Sequence, residues 1–259
     1  MKKKLSDDSI IEQERYDKVA LNLQNVSTQI GEINSGIANI PILHQLPFQI
    51  YYDAIKNNIE PTDDVLELGI GTGIHTEVIF EKTKKVSALD ISLESLKLCK
   101  IRFPHINLVH ANMEQIPLSD NSFNAIVSCG SLSYGDPVKV NAEIIRILKP
   151  GGKLIILDTL NHNLVYKVNR WVRFKAGQRT RSTLKRMPTM NRIQQFNSIF
   201  LKTETRLFGS YLWFILILEK LFGSNLAMKL NSWLERRHPS KKNAHKFVFI
   251  GLGHMKSMK

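Results

Sequence analysis

The sequence predicts an α/β fold, in which a seven-stranded, mostly parallel sheet carries helices on both of its faces. Three observations support this prediction. From about residue 63 onward, short apolar runs alternate with longer amphipathic stretches, which is typical of βαβ units. A glycine-rich turn follows the first of these runs. The chain has 259 residues, 43% of them hydrophobic, so it is long and apolar enough to bury such a sheet.

The first sixty residues predict a helical extension in front of this core. Ile30, Ile33, Ile37 and Ile40 recur at helical spacing, and Pro41 ends the pattern because proline cannot continue a helix. We therefore divide the chain into a helical N-terminal extension at 1–60, a core at 61–160, and a basic region with an insertion at 161–259 that completes the sheet.

The core contains five predicted strands and three predicted helices. The strands are expected at 65–68, 86–90, 108–111, 125–129 and 153–158, and the helices at 76–82, 93–102 and 138–148. Pro150, Gly151 and Gly152 are expected to form the turn between the last helix and the last strand, since proline stops a helix and glycine permits a turn.

The regular alternation weakens after Asp158. The segment 161–192 is basic and favours helix, whereas 203–208 and 246–250 have the composition of strands. We expect these last two strands to pair antiparallel, with an apolar insertion between them. The run 211–218 is too short to cross a bilayer, because a transmembrane helix needs roughly 20 apolar residues.

Positive charge is concentrated in the C-terminal region. The whole chain has a net charge of +13. Residues 161–259 hold 20 lysines and arginines against three acids, which gives +17, whereas residues 1–160 have a net charge of −4. Such asymmetry indicates an anionic partner for the C-terminal region: a phosphate-bearing substrate, a membrane surface or a nucleic acid.

The N-terminal sequence and the cysteine content predict a cytoplasmic protein. The opening MKKKLSDDSIIEQER is basic at first, but acids follow and no apolar stretch does, unlike in a secretory signal. Cys99 and Cys129 are too few for a disulfide framework or a thiolate zinc site, so we expect two reduced thiols and no metal. Attachment to the inner surface of the membrane is the open alternative.

The strongest local signal is the segment VLELGIGTG at 65–73, where an apolar strand leads into a glycine-rich turn and a helix. Glycines let a ligand approach the backbone closely, and a helix N-terminus offers unpaired N–H groups. The spacing is G-x-G-x-G, Glu67 precedes it, and Asp90 ends the next strand, where a carboxylate can accept from both ribose hydroxyls. This set predicts an adenosine-containing ligand without a pyrophosphate.

Four blocks of sequence extend this interpretation. They are VLELGIGTG (65–73), ALDIS (88–92), ANMEQIPLSDNSFNAIVS (111–128) and ILKPGG (147–152). In this order they resemble the class I S-adenosylmethionine (SAM)-dependent methyltransferases, and within these the methyltransferase type 11 group. The resemblance covers 65–158. It implies a Rossmann-like fold, SAM as the methyl donor, S-adenosylhomocysteine as the product, and 61–160 as the SAM-binding core.

The resemblance also implies which residues bind the cofactor. Gly69, Gly71 and Gly73 would make room for the methionine moiety, Glu67 would orient their loop, and Asp90 would hold the ribose hydroxyls. The remaining matches are Ile91 on the adenine, Asn112 and Met113 on either side of it, Cys129 and Gly130 near the methionine amino group, and Tyr16 over the cofactor. The family usually has aspartate in place of Asn112, whose carbonyl oxygen can still accept from the adenine amino group.

Ordinary structural roles compete with several of these assignments. Asp90 and Asn112 could satisfy the N–H groups of turns at strand ends, as Asp and Asn commonly do. Glu67 could be a buried, hydrogen-bonded acid, and Cys129 a small buried hydrophobe.

The catalytic candidates follow from the reaction that the resemblance implies. Methyl transfer is an in-line displacement, so the enzyme mainly aligns donor and acceptor and, for some acceptors, removes a proton. Ligands of open α/β sheets bind beyond the carboxyl ends of the strands. His162, after the fifth strand, and Tyr134, after the fourth, are therefore the candidates, while His75 is expected to make only local hydrogen bonds.

A basic segment follows the fifth strand. Nine lysines and arginines occur between 167 and 192 with no acid among them. Because solvated faces normally mix both signs of charge, such a run favours an anionic ligand. We hypothesise that Arg179, Arg181, Lys185 and Arg186 bind a phosphate or carboxylate of the acceptor.

A second amphipathic stretch lies further on. Leu226, Leu230, Trp233 and Leu234 share a helical face. This spacing predicts either a lid packed on the core or a helix at a membrane interface.

The sequence thus predicts a SAM-dependent methyltransferase whose acceptor is a small or lipid-like anionic molecule, with peripheral membrane contact as a further possibility. One alternative is an RNA or DNA methyltransferase that uses the basic C-terminal region, although no nucleic-acid module accompanies the core. The other is a non-catalytic SAM-binding or membrane-surface scaffold.

Overall fold

One seven-stranded sheet organises the protein. The computed structural model describes residues 7–30, 40–41, 44–176, 180–237 and 243–255. The strands are β1 (Val65–Leu68), β2 (Val86–Asp90), β3 (Asn107–His110), β4 (Phe123–Cys129), β5 (Leu148–Thr159), β6 (Phe200–Phe208) and β7 (Lys246–His254). Their spatial order is β3-β2-β1-β4-β5-β7-β6. Strands β1 to β5 run parallel and β7 pairs antiparallel with both β5 and β6, which confirms the predicted sheet.

Helices precede, connect and follow these strands. In the described residues they are α1 (Asp7–Ile30), α2 (Leu46–Asn58), α3 (Glu77–Phe80), α4 (Leu93–Arg102), α5 (Pro137–Ile147), α6 (Leu164–Lys175), α7 (Arg181–Lys185), α8 (Met190–Asn197), α9 (Leu212–Phe222) and α10 (Ser224–Arg237). Of the isoleucine pattern expected before Pro41, Ile33 and Ile37 lie outside the described residues. The division at 60 and 160 stays a prediction.

The sheet separates two apolar layers, because alternate strand residues point to opposite faces. Leu66 and Leu68 of β1 belong to a layer with Ile144 of α5 and Phe196 of α8. The neighbouring Val65 belongs to the other layer, with residues of α2, α3 and α4 such as Tyr51, Ile79 and Leu96. Burial on both faces explains why β1 reads as a continuous apolar run around Glu67.

The Pro-Gly-Gly segment was expected to be a turn before the fifth strand, and this prediction was wrong. Helix α5 already ends at Ile147, where Leu148 N–H caps it on Ile144 O, and Leu148 is the first residue of β5. Phe123 pairs with Leu148 and Ala125 with Lys153, so residues 149–152 form a bulge within β5. Gly151 has φ of +77°, which explains the glycine at this position.

The C-terminal helices pack beside the sheet as a small cluster of their own. Ile215 of α9 and Ala227 of α10 are its buried centre, and Tyr166 of α6, Leu230 and Leu234 pack around them. The stripe predicted on α10 is therefore divided, since Leu226 and Trp233 are more than half exposed. Within the described residues, no helix combines the length and the hydropathy needed to cross a bilayer.

Candidate active site

A cavity of about 280 Å³ lies at the carboxyl ends of β1, β2 and β4, with α1 along one side. Such edges hold the ligands of open α/β sheets. The cavity brings together eleven residues that were predicted from the sequence: Tyr16, Glu67, Gly69, Gly71, Asp90, Ile91, Asn112, Met113, Cys129, Gly130 and Tyr134. Gly73 and His162 are not among the described residues that line it.

Asp90 joins the glycine loop to the end of β2. Its Oδ2 accepts the Gly71 N–H at 2.8 Å, and its Oδ1 accepts the Ser92 N–H at 2.8 Å. Burial raises the pKa of this carboxyl, while the N–H groups of Ser92 and Gly71 oppose the rise. Each carboxylate oxygen has lone pairs beyond these bonds. The side chain therefore does both things considered from the sequence: it orders the turn and presents acceptors to the cavity.

Glu67 lies in β1 beneath the same loop and is 2% exposed. Its Oε2 accepts the Thr76 hydroxyl at 2.8 Å, which ties β1 to the start of α3. Burial raises the pKa of Glu67 to about 8, with Asp90 adding to the rise and the Thr76 hydrogen bond opposing it. A carboxyl with this pKa is mostly protonated at neutral pH.

The three glycines of the loop meet different surroundings. A Cβ on Gly71 would find no atom within 4 Å and would project into open space beside the cavity. A Cβ on Gly69 would lie 2.4 Å from Ser131 Cβ, and one on Gly73 would lie 3.0 Å from the Phe103 ring and 3.1 Å from Cys99 Sγ. Gly71 thus leaves room for a ligand, whereas Gly69 and Gly73 let the loop pack against the protein itself.

The far end of the cavity is formed by Ile91, Asn112 and Met113. Asn112 Oδ1 accepts the Glu114 N–H at 2.9 Å, so the amide shapes its own turn. That oxygen has a second lone pair, and the amide nitrogen has two further protons. The Asn112 side chain can still exchange hydrogen bonds with a ring such as adenine.

The end of β4 contributes backbone atoms to the cavity and no reactive side chain. Gly130 has φ of +71°, and a Cβ there would meet no atom within 4 Å. Its N–H donates to Leu157 O at 2.8 Å. Burial raises the pKa of the Cys129 thiol, with Asp158 adding to this effect, so the thiol stays protonated at neutral pH.

Helix α1 closes the cavity opposite the glycine loop. The Tyr16 hydroxyl donates to the Tyr134 hydroxyl at 2.6 Å, and Arg15 Nη2 donates to the same oxygen at 3.4 Å. Burial opposes the charge of Arg15, but Tyr134, Tyr16 and Glu12 outweigh it and raise the Arg15 pKa, which keeps the guanidinium cationic.

Three further hydrogen bonds hold α1 in place. Asp17 Oδ1 accepts the Ser92 hydroxyl at 2.6 Å and the Glu94 N–H at 3.2 Å, at the start of α4. The Thr180 hydroxyl, which caps α7, donates to Glu12 Oε1 at 3.0 Å. Sequence reasoning identified Tyr16 and missed Glu12 and Asp17. Both acids lie within one helical turn of Tyr16, and this proximity was the available signal.

Tyr134 lies on a short 3₁₀ turn, Leu132–Tyr134, that two buried charges clamp. Asp158 Oδ2 accepts the Leu132 N–H at 2.9 Å, and Arg192 Nη1 donates to Leu132 O at 3.1 Å. Burial lowers the pKa of Arg192 to about 10, with Asp158 and Asp136 opposing the shift, so this arginine is still charged at neutral pH. Arg192 therefore has a structural task within the basic segment.

The two histidines considered from the sequence, the candidate His162 and His75, occupy different places. His75 lines the cavity, and its Nδ1 is 2.7 Å from the Tyr52 hydroxyl. Burial, with a contribution from Lys246, lowers the pKa of His75 to about 4, so the ring is neutral. His162 lies outside the cavity lining, and its Nδ1 is buried with no hydrogen-bond partner in the described part of the chain.

The predicted acceptor-binding cations lie beside the cavity. Helix α7 packs on the turn that carries Tyr134, with Arg181 and Lys185 exposed and Arg186 Nη1 3.6 Å from Glu114 Oε1. None of these three lines the cavity, and Arg179 lies outside the described residues. In the described ranges, no group of three or more His, Cys, Asp or Glu side chains is arranged to hold a metal ion.

Residues 66–156 match the family model described as a methyltransferase domain. This range contains the glycine loop, Asp90 and the bulge of β5. The chain contains a methyltransferase domain. The resemblance deduced from the four sequence blocks is thereby confirmed for this range.

Similar proteins agree with this assignment. The methyltransferase domain is similar to a demethylmenaquinone methyltransferase of Renibacterium salmoninarum, with 38% identity over 99 residues, 38% of this chain and 42% of that protein. A demethylmenaquinone methyltransferase of Paenarthrobacter aurescens is 31% identical over 147 residues, 56% of each chain. The chain thus spans about half the length of the curated relatives it matches.

The fold extends beyond the matched domain. The solved structure of a geranyl diphosphate methyltransferase in complex with GPP and sinefungin superposes with a TM-score of 0.62. The match covers 95% of this chain and 99% of that one, at 13% identity. This likeness confirms the Rossmann-like methyltransferase fold for the sheet as a whole.

Proposed function

We propose that this protein transfers the methyl group of SAM to a small or lipid-like acceptor that bears negative charge. The observation that carries the proposal is the convergence of Asp90, the open side of Gly71 and the Asn112–Met113 pair on one cavity in a methyltransferase domain. These features suit a ribose, an amino-acid moiety and an adenine, respectively.

The residues present fit SAM, which would supply an electrophilic methyl group on a sulfonium. Asp90 would accept from the ribose hydroxyls with the lone pairs left by Gly71 and Ser92 N–H. The open positions at Gly71 and Gly130 would admit the methionine moiety against the backbone. Ile91 and Met113 would pack on the adenine. Glu67 would support the loop through Thr76 rather than touch the cofactor.

Tyr134 is the residue that we assign to the acceptor. It lines the cavity beside α1, and its oxygen accepts hydrogen bonds from Tyr16 and Arg15. Its own hydroxyl proton can then be donated to an acceptor oxygen, which would hold the acceptor in line with the methyl group. The turn clamped by Asp158 and Arg192 fixes the position of the phenol.

The relatives support a lipid-like acceptor. Two of them are named for demethylmenaquinone, and the solved neighbour is named for geranyl diphosphate, an isoprenoid that bears phosphates. In this chain the cations of α7 lie next to the turn that carries Tyr134. We propose that Arg181, Lys185 and Arg186 attract the anionic part of the acceptor, together with Arg179.

Calorimetric titration with SAM and, in parallel, with NAD tests the cofactor assignment. We expect SAM to bind, NAD not to bind, and Asp90→Ala to weaken SAM binding by roughly tenfold or more, because charge-assisted hydrogen bonds contribute about 1.5–3 kcal/mol each. The matched control is Asp64→Ala, since Asp64 is half exposed and pairs with Lys149 away from the cavity. A folded protein that binds no SAM would refute the proposal.

Turnover tests the acceptor assignment. Release of S-adenosylhomocysteine should be measured across quinone precursors, isoprenoid phosphates and acyl thioesters. For an acceptor that turns over, Tyr134→Phe should raise KM or lower kcat while the affinity for SAM stays unchanged. Charge reversal of Arg181 and Lys185 should raise KM alone. An unchanged KM after charge reversal would remove the anionic acceptor from the proposal.

A further inference from the structure

Helix α6 presents its apolar side to solvent. Leu164, Val165, Val168, Trp171 and Val172 are each between 52% and 73% exposed. With 3.6 residues per turn, these five side chains fall within an arc of about 120° around the helix axis. The buried residue of this helix is Arg170, on the other side. This is the reverse of a helix that stabilises a core, in which the apolar stripe faces inward.

The interior contacts of α6 explain its orientation. Arg170 lies 8% exposed over the Tyr166 ring, 5.6 Å from its centroid, with Nη1 near Leu160 O. Tyr166 stacks on His245 with the ring centroids 4.1 Å apart. Asn163 Nδ2 donates to Asn243 O at 2.7 Å, at the start of the helix. These polar and aromatic contacts hold the helix by its inner side and leave the apolar stripe outward.

Cations accompany the stripe. Lys167, Arg173 and Lys175 are exposed on α6, which contains no acidic residue. By helical position, Lys175 falls within the apolar arc and Lys167 at its edge. Lys175 Nζ lies over the Trp171 ring, 5.6 Å from its centroid.

Helix α9 adds a second exposed apolar surface. Ile217, Leu221 and Phe222 are between 51% and 67% exposed, and Lys220 is exposed among them. The acidic side chains of α9 and α10 make hydrogen bonds within the protein. Glu219 accepts the Ser224 hydroxyl, and Glu235 accepts the N–H groups of Gly209 and Ser210. Tyr166 joins α6 to the apolar centre of α9 and α10.

We propose that α6, together with α9, docks the protein onto an anionic lipid membrane. A helix that binds a membrane interface combines an exposed apolar stripe, tryptophan and flanking lysines or arginines. Protein interfaces are depleted in lysine, which argues against a second chain on this surface. The cations would also attract a nucleic acid, but the exposed leucine and the three exposed valines would add little affinity for a phosphate backbone. The proposal goes beyond the methyltransferase activity and does not depend on it.

Vesicle flotation tests the docking surface. At low salt we expect the full chain to float with vesicles that contain phosphatidylglycerol. With vesicles of phosphatidylcholine alone, we expect it to remain at the bottom of the gradient. Raising the salt should reduce recovery, because exposed charges are screened. Lys167→Gln with Lys175→Gln should weaken binding about fivefold for each lysine removed. The matched control is Lys202→Gln, an exposed lysine on β6.

The apolar part of the surface is tested in the same assay. Val168→Ser with Trp171→Ser should weaken binding at least about tenfold. Ile101→Ser is the matched control, since Ile101 of α4 is 70% exposed and lies away from the proposed surface. Circular dichroism and SAM titration of every variant should match the wild type, which separates loss of docking from loss of fold.

Three results would overturn the proposal. The first is no flotation at low salt on phosphatidylglycerol vesicles. The second is flotation that neither the lysine pair nor the apolar pair reduces. The third is wild-type dimerisation in lipid-free buffer, by analytical ultracentrifugation, that Val168→Ser with Trp171→Ser abolishes, because a second copy would then cover the stripe.

Discussion

Replacing Glu67 by glutamine should remove a pH dependence of stability that this one carboxyl imposes. Glu67 is 2% exposed in β1, and burial raises its pKa from 4.5 to about 8. Between these two values the folded protein keeps the proton and the unfolded chain releases it. Because the folded state then binds more protons, the free energy of unfolding falls as the pH rises.

The size of the effect follows from the two pKa values. One pKa unit corresponds to about 1.4 kcal/mol, so the free energy of unfolding should fall by about 4 kcal/mol between about pH 5 and about pH 8 through Glu67 alone. Glutamine keeps an oxygen that accepts the Thr76 hydroxyl and does not titrate. We therefore expect the two proteins to be similar in stability near the lower pH and Glu67→Gln to be more stable near the upper one.

Urea denaturation followed by circular dichroism measures this difference at a series of pH values. The quantity to compare is the difference between wild type and variant, since Asp158 also has a raised pKa and contributes equally to both. Asp90 interacts with Glu67, so its part of the difference belongs to the effect of the substitution. Glu60→Gln is the matched control, because Glu60 is an exposed glutamate just before β1. Parallel profiles for wild type and Glu67→Gln would refute the reasoning.

Three further predictions concern the loop, α1 and the clamp. Gly71→Ala should weaken SAM binding at least about tenfold and lower the unfolding free energy by about 1–3 kcal/mol, because Gly71 has φ of +53°. Gly69→Ala meets the same backbone strain at φ of +69° and places its Cβ 2.4 Å from Ser131, so it should cost about 1–3 kcal/mol more; calorimetry and urea titration separate the two, and a larger stability loss for Gly71→Ala would contradict the assignment. Asp17→Ala removes the acceptor of the Ser92 hydroxyl, so amide hydrogen exchange in α1 should accelerate while exchange in β4 stays slow. An unchanged exchange rate in α1 would contradict the inference that Asp17 anchors this helix. Arg192→Met leaves Leu132 O without its donor and should lower the unfolding free energy by about 1–3 kcal/mol; a stability equal to wild type in urea titration would show that the clamp is dispensable.

Much of the core was predictable because its signals are local. Each strand of the parallel sheet is a short apolar run, and each ends where its composition changes, as Asp90 does at the end of β2. The carboxyl ends of such strands share one edge, so the glycine loop, Asp90 and Asn112 were expected to meet there. The cavity contains all three.

Other features depend on partners that are distant in sequence. Tyr16 meets Tyr134 across 118 residues, and only the folded chain shows that Arg15 joins them. The Pro-Gly-Gly segment looked like a turn, but pairing of β5 with β4 made it a bulge. Gly69 and Gly73 looked equivalent to Gly71 until the positions of Ser131 and Phe103 were known.

The sequence by itself determined the order of strands and helices, the adenosine-type site and the concentration of positive charge in the C-terminal region. Each of these features depends on residue types that lie close together along the chain. The tertiary structure decided which glycine leaves room for a ligand, that Arg170 and Arg192 are buried, and that the apolar stripe of α6 faces outward. Periodicity shows that a helix has two faces. Which of them turns inward is settled by the free energy of packing against non-local neighbours, here the stacking of Tyr166 on His245 and the burial of Arg170.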